Sequence, residues 1–216
     1  MKKLCMLFAF LMTVATVLLL SSCSTDMDGV SERRSGYYSA GDGEFNVVAV
    51  SGVREVEYMR DGEAGELTPY TLVTLSSVDE RAFDVDAVIT YEATLTDGDN
   101  EKKFGGALVT HPFAASYSAE FPFETMCASF KISIIKNGER REYELISQTD
   151  GVITFDRAIA AARDELKNAK GETRARIIKN PVGDGVCWHV EFITAESSCG
   201  VLLDPITAKV LAKKEA

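Results

Sequence analysis

The chain has 216 residues, 46% of them hydrophobic, and a formal net charge of −10. That apolar fraction is ordinary for a globular protein with a packed core, and the excess of carboxylates opposes binding to nucleic acid or to anionic lipid headgroups. The charge is uneven, with 11 basic and 24 acidic side chains in residues 23–151 but 10 and 9 in residues 152–216.

Met1, Lys2 and Lys3 place positive charge ahead of an apolar run from Leu4 to Leu20, and no acid occurs before Asp26. A positive start, a short apolar core and small residues after it make a secretion signal. The core is about 17 residues, at the lower limit for spanning a bilayer. The run ends in Leu20-Ser21-Ser22-Cys23, which resembles the lipobox of bacterial lipoproteins. The resemblance implies cleavage of residues 1–22, and lipidation of Cys23 with diacylglycerol and a further acyl chain such as palmitate. It also implies attachment to the outer face of the cytoplasmic membrane or to the outer membrane. Two or three acyl chains anchor far more firmly than one, at about 0.8 kcal/mol per buried methylene.

Residues 23–43 are small, polar and glycine-rich, a composition that offers little apolar surface to offset ordering entropy. They are expected to form a flexible tether. Residues 44–150 read as short strands: Phe45–Val50, Val53–Met59, Tyr70–Leu75, Val85–Leu95, Lys103–Thr110, Ser129–Ile135 and Arg141–Ile146. Val85, Ala87, Ile89, Tyr91, Ala93 and Leu95 keep one parity, the mark of a half-buried strand. Asn137-Gly138 is a strong two-residue hairpin signal, since both positions tolerate φ > 0. The expectation is an antiparallel β-sandwich, immunoglobulin-like in architecture.

At Thr154 the period changes. Phe155, Ile159, Ala162 and Leu166 form one stripe of an amphipathic helix. Thr154 suits the N-cap, and Lys167, Lys170 and Gly171 suit the stop. Strands Thr173–Ile178, Val186–Ile193 and Gly200–Asp204 follow, which places a domain boundary near Asp150-Gly151 and a second domain at 151–216. Trp188, Val190 and Phe192 share one strand face, with Val201 and Leu203 opposite. Ile153-Thr154, the helix with Ala158, Ala161 and Ala162, the Trp188–Phe192 strand and the ending Val201–Leu211 together resemble the PepSY family, with Ala208 where that pattern usually carries glycine. The resemblance covers about 65 residues. It implies an α-β-β-β fold, no catalytic residues, and a role in binding protein or peptide that includes modulation of a secreted peptidase.

Beyond the signal and Cys23, the cysteines are Cys127, Cys187 and Cys199. A hairpin turning at Ala195–Ser198 sets Cys199 against Thr194 and leaves Cys187 about 20 Å away at ~3.3 Å per residue, beyond the ~7 Å reach of a disulfide. The same hairpin sets His189 against Asp204, so that Cys187, His189, Glu191 and Asp204 share a face that could ligate zinc; mixed polar residues on an outer sheet face also describe a solvated surface. Asp97, Asp99, Asn100 and Glu101 are a fragment of a calcium-loop pattern without its full spacing. No G-x-S-x-G, H-E-x-x-H or glycine-rich phosphate loop occurs, and no cofactor is expected. The leading expectation is a non-enzymatic, lipid-anchored binding protein. A structural component of the envelope and a metal-dependent enzyme on the His189 face are the rival readings.

Overall fold

A computed structural model describes residues 29–56, 63–79, 81, 83–97, 100–112, 114–167 and 169–214. The elements in chain order are β1 (Val30–Gly41), β2 (Phe45–Glu55), β3 (Leu67–Ser77), β4 (Ile89–Asp97), β5 (Asn100–Thr110), β6 (Ser116–Phe121), β7 (Ser129–Lys136) and β8 (Glu139–Ser147). Helix α1 (Phe155–Glu165), β9 (Glu172–Lys179), β10 (Val186–Ile193), β11 (Ser198–Leu203) and β12 (Val210–Lys214) complete it.

Strands β1 to β8 close into an antiparallel barrel in the order β1-β2-β3-β6-β5-β4-β7-β8, with β8 returning to β1 through Tyr38↔Ser147 and Ser39↔Ile146. Side chains of period two fill its interior. Val47, Ala49, Val73, Leu75, Ala93, Leu95, Ile132 and Leu145 are at most 1% exposed, and Tyr38, Tyr91, Phe121 and Phe130 join them. Phe104 stacks on Phe121 at 4.4 Å between ring centres. The outward positions of β4, β7 and β8 carry Glu92, Lys131, Arg140, Glu142 and Glu144. Apolar inside and charged outside is the reverse of a membrane-spanning barrel.

The barrel does not end the sheet. Val30 to Arg34 of β1 pair in parallel with Thr173 to Arg176 of β9, and β9-β10-β11-β12 continue antiparallel. Helix α1 covers one face of that extension. Thr154 caps it, its hydroxyl accepting from the Arg157 amide. Phe155, Ala158, Ile159, Ala162 and Leu166 pack on Ala175, Ile177, Trp188, Val190, Phe192, Val201 and Leu203. Trp188 is 1% exposed, meets Phe155 edge-on at 6.4 Å, and its indole N–H donates to the Ile153 carbonyl at 3.1 Å.

These findings correct the expected fold. The eight N-terminal strands form a closed barrel and not a sandwich, and the C-terminal part is not a separate α-β-β-β module but four strands continuous with the barrel. The difference lies in three segments. Residues 30–41, expected in the tether, form the 12-residue strand β1. Residues 116–121 and 210–214, where the sequence predicts no strand, are β6 and β12. β1 is the strand that closes the barrel, so without it an open sandwich was the natural solution. Its chain bends at a bulge between Arg34 and Gly36, and this lets its first half serve β9 and its second half β8.

Candidate functional site

Where β1 leaves β9, a polar seam fills the angle between barrel and C-terminal sheet. Alternation along β9 sends Ala175 and Ile177 to the helix and Glu172, Arg174 and Arg176 to the opposite face. On β10 the same alternation places Cys187, His189 and Glu191 there, with His189 opposite Arg176 and Glu191 opposite Arg174. Parallel pairing adds Glu32 and Arg34 of β1 opposite Arg174 and Arg176.

Two ion clusters result. In the first, Glu32 is 1% exposed. Its Oε1 accepts from Tyr70 Oη at 2.7 Å and from an Arg34 terminal nitrogen at 2.9 Å, while Arg34 Nε donates to Tyr70 Oη at 2.8 Å. The Arg54 guanidinium lies 4.4 Å above the Tyr70 ring. Burial pushes the Tyr70 hydroxyl well above its usual range, and the Glu32 carboxylate adds to the effect. Arg176 approaches Glu32 Oε2 at 3.7 Å and donates to Glu191 Oε2 at 2.9 Å. In the second cluster, Arg174 is 1% exposed. It donates to Ser31 Oγ at 3.1 Å and Glu55 Oε1 at 3.2 Å, and its guanidinium lies 2.6 Å from Glu172 Oε1.

His189 sits at the edge of the first cluster with Arg176 3.1 Å from its Nδ1. A guanidinium only donates, so Nδ1 accepts and the imidazole proton resides on Nε2. Burial, then the Arg176 charge, hold the imidazole below its usual pKa, against the opposing pull of Glu191 and Glu32 and with a further lowering from Arg34. The ring borders a groove of about 250 Å³ that Glu191, Gly200, Leu202, Ala212 and Lys214 also line.

The four residues that could ligate zinc do not assemble. His189 pairs with Leu202, two residues short of the anticipated Asp204. Asp204 instead accepts from the Thr207 amide at 2.7 Å, the Thr207 hydroxyl at 2.8 Å and the Ile206 amide at 3.1 Å, and these bonds hold its carboxyl below the usual range. Cys187 is fully buried, which raises its thiol pKa, and the lone pair of His189 Nδ1 is engaged by a cation. Among the described residues no three His, Cys, Asp or Glu side chains converge to hold a metal. Cys127, Cys187 and Cys199 are free thiols. Asp97 and Asn100 pair as the ends of the β4–β5 hairpin and Glu101 binds Lys103 at 2.8 Å, the arrangement of a polar turn. Residues 98 and 99, and the lipidation candidate Cys23, lie outside the described residues.

Sequence reasoning found the His189–Glu191 face by its parity. It missed Glu32, Arg34, Glu55, Tyr70, Arg174 and Arg176, the groups that give that face its chemistry. The available signal was Ser31-Glu32-Arg33-Arg34, three adjacent charges of both signs, together with Glu172-Thr173-Arg174-Ala175-Arg176, where charges of both signs alternate with other residues. Comparison with protein-family profiles, with characterised proteins and with solved structures finds no match for the chain.

Proposed function

We propose that the chain is a bacterial envelope lipoprotein, exported, cut before Cys23 and lipidated there, which acts by binding a protein or peptide and not by catalysis. The signal-like segment and Leu20-Ser21-Ser22-Cys23 support the anchor. The observation that carries the binding reading is the commitment of the polar seam to itself. Glu32 holds Tyr70 and Arg34, Arg174 holds Glu55 and Glu172, and one terminal nitrogen of Arg176 serves Glu191 and His189 while its Nε is buried without a hydrogen-bond partner among the described residues. Groups bound in this way specify how two parts of a sheet meet; they are poor general acids, bases or nucleophiles. The interior of the barrel, where a small-molecule site of this architecture would lie, is filled by aromatic and aliphatic side chains.

The test is affinity capture from detergent-solubilised envelope, with the mature lipidated chain and its H189Q variant as baits. Recovery of the same partner by both baits is the expected result, and a secreted peptidase is the partner class implied by the C-terminal resemblance. A chemical turnover by the purified chain that H189Q abolishes would overturn the proposal.

A further inference from the structure

We infer that the chain stands on the membrane with the β10–β11 turn and the end of β12 toward the lipid headgroups, and with the β1–β2 and β7–β8 turns pointing away. The inference rests on the proposed lipidation of Cys23. It also rests on where β1 begins. Val30 is the first residue of that strand, so only seven Cα steps separate it from Cys23. At ~3.3–3.6 Å per residue the link reaches at most about 25 Å, and part of that is spent crossing the headgroup layer, some 5–7 Å per leaflet.

The sheet register fixes what lies beside Val30. It pairs with Thr173, which pairs with Phe192, which pairs with Cys199; Gly200, next along, pairs with Lys214. The Thr194–Ser197 turn and the end of β12 therefore share the Val30 end of the sheet. The other end of β1 is Gly41, eleven residues on from Val30 and at most about 36 Å away at ~3.3 Å per residue, and the Asp42–Glu44 turn follows it. The β7–β8 turn at Asn137-Gly138 shares that far end, since the Arg141 guanidinium reaches Asp42 and Glu44 there. An inverted molecule, with these turns on the lipid, would hold Val30 farther from the bilayer than its link can stretch. A tether of the length expected from composition, about twenty residues or ~70 Å, would have allowed either pose.

Charge does not decide the orientation: at the Val30 end the exposed Lys170 and Lys214 stand beside exposed Glu196 of the β10–β11 turn and Glu63 and Glu66 of the β2–β3 loop, so the inference rests on the reach of the link and the sheet register. The far turns carry Asp42, Glu44 and Glu139 around Arg141, and they are the surface offered to a partner in the periplasm or outside the cell.

The test uses the full lipidated chain in phosphatidylcholine vesicles that carry a fluorescent acceptor on a fraction of headgroups. A fluorescent amino acid is installed at Glu196, in the β10–β11 turn, or at Glu139, in the far turn. Energy transfer at 196 is expected to exceed that at 139 by at least about twofold, because the two turns lie at opposite ends of the sheet. Inserting twenty Gly/Ser residues after Thr25 should bring the two values together. Equal transfer with the native link, or stronger transfer at 139, overturns the orientation while leaving the anchor intact. A chain that carries no acyl mass and does not float with the vesicles overturns the anchor, and the orientation with it.

Discussion

A β-carbon added at Gly52 would lie 2.0 Å from the Arg33 carbonyl oxygen and 2.7 Å from the Arg34 Cα, because β2 runs against the β1 bulge at that point. Backbone atoms cannot step aside as a flexible side chain does. Gly52→Ala is expected to destabilise the protein by at least about 2 kcal/mol, read as a lower denaturant midpoint; an unchanged midpoint would mean that the bulge is not rigid. Ala208 offers the opposite case. It adopts φ +63° in the turn that Asp204 organises, a left-handed conformation that costs a residue with a β-carbon about 1 kcal/mol. Ala208→Gly is expected to raise stability by about 0.5–1 kcal/mol. Arg174→Ala leaves the Glu55 and Glu172 carboxylates buried without the cation they share, a loss of about 3–5 kcal/mol. Arg174→Lys should rescue little, since an ammonium cannot serve partners on several sides with a planar fork.

The His189 imidazole adds a pH dependence whose sign follows from its lowered pKa. The unfolded chain takes up the proton near its ordinary value of about 6.5 while the folded chain resists it. Stability from this group is therefore complete above that pH and is lost as pH falls through the folded value. Unfolding midpoints measured between pH 7.5 and 5 should decline, and His189→Gln should flatten the part of the decline due to this residue. An identical slope in the variant would assign the whole decline to carboxylates instead.

Elements with a complete local signal were legible. Asn137 and Gly138 take φ +53° and +83° and join β7 to β8 with Lys136 opposite Glu139, as an Asn-Gly pair between alternating runs dictates. The helix follows its stripe from its cap at Thr154 to Glu165. Its cap is open to test, since Thr154→Ala should cost about 0.5–2 kcal/mol. β1 was illegible for a physical reason. Its sequence, Val-Ser-Glu-Arg-Arg-Ser-Gly-Tyr-Tyr-Ser-Ala-Gly, has the polarity of a tether because Val30 and Tyr38 enter the apolar cores while Ser31, Glu32 and Arg34 meet their burial through hydrogen bonds and ion pairs. No composition rule distinguishes charges that will be neutralised by a partner 140 residues away from charges that will stay in water. The hairpin β10–β11 shows a milder failure. Its faces were right and its register was off by two residues, because the turn at Thr194–Ser197 closes with Thr194 bonded to Ser197 one step earlier than anticipated.

At the scale of the molecule, one strand couples two cores. β1 pairs with β2 and β8 of the barrel and with β9 of the extension, and the ion clusters bridge the same junction. The barrel and the C-terminal sheet are expected to unfold together. Trp188, the sole tryptophan of the chain, reports the extension through its fluorescence, and far-ultraviolet circular dichroism reports chiefly the barrel. The two transitions should coincide, and Arg174→Ala should pull them apart. Separate transitions in the unaltered chain would make the two parts independent units. The same junction sets the height of every surface above the membrane once the chain is anchored seven residues upstream. The anchor is thus the claim on which function and orientation both depend, and the intact mass of the exported protein tests it most directly. A mature chain that begins at Cys23 and carries the added mass of diacylglycerol, lost when Cys23 is replaced by serine, is the expected result. A mature chain that begins elsewhere, or that begins at Cys23 without lipid, would contradict it.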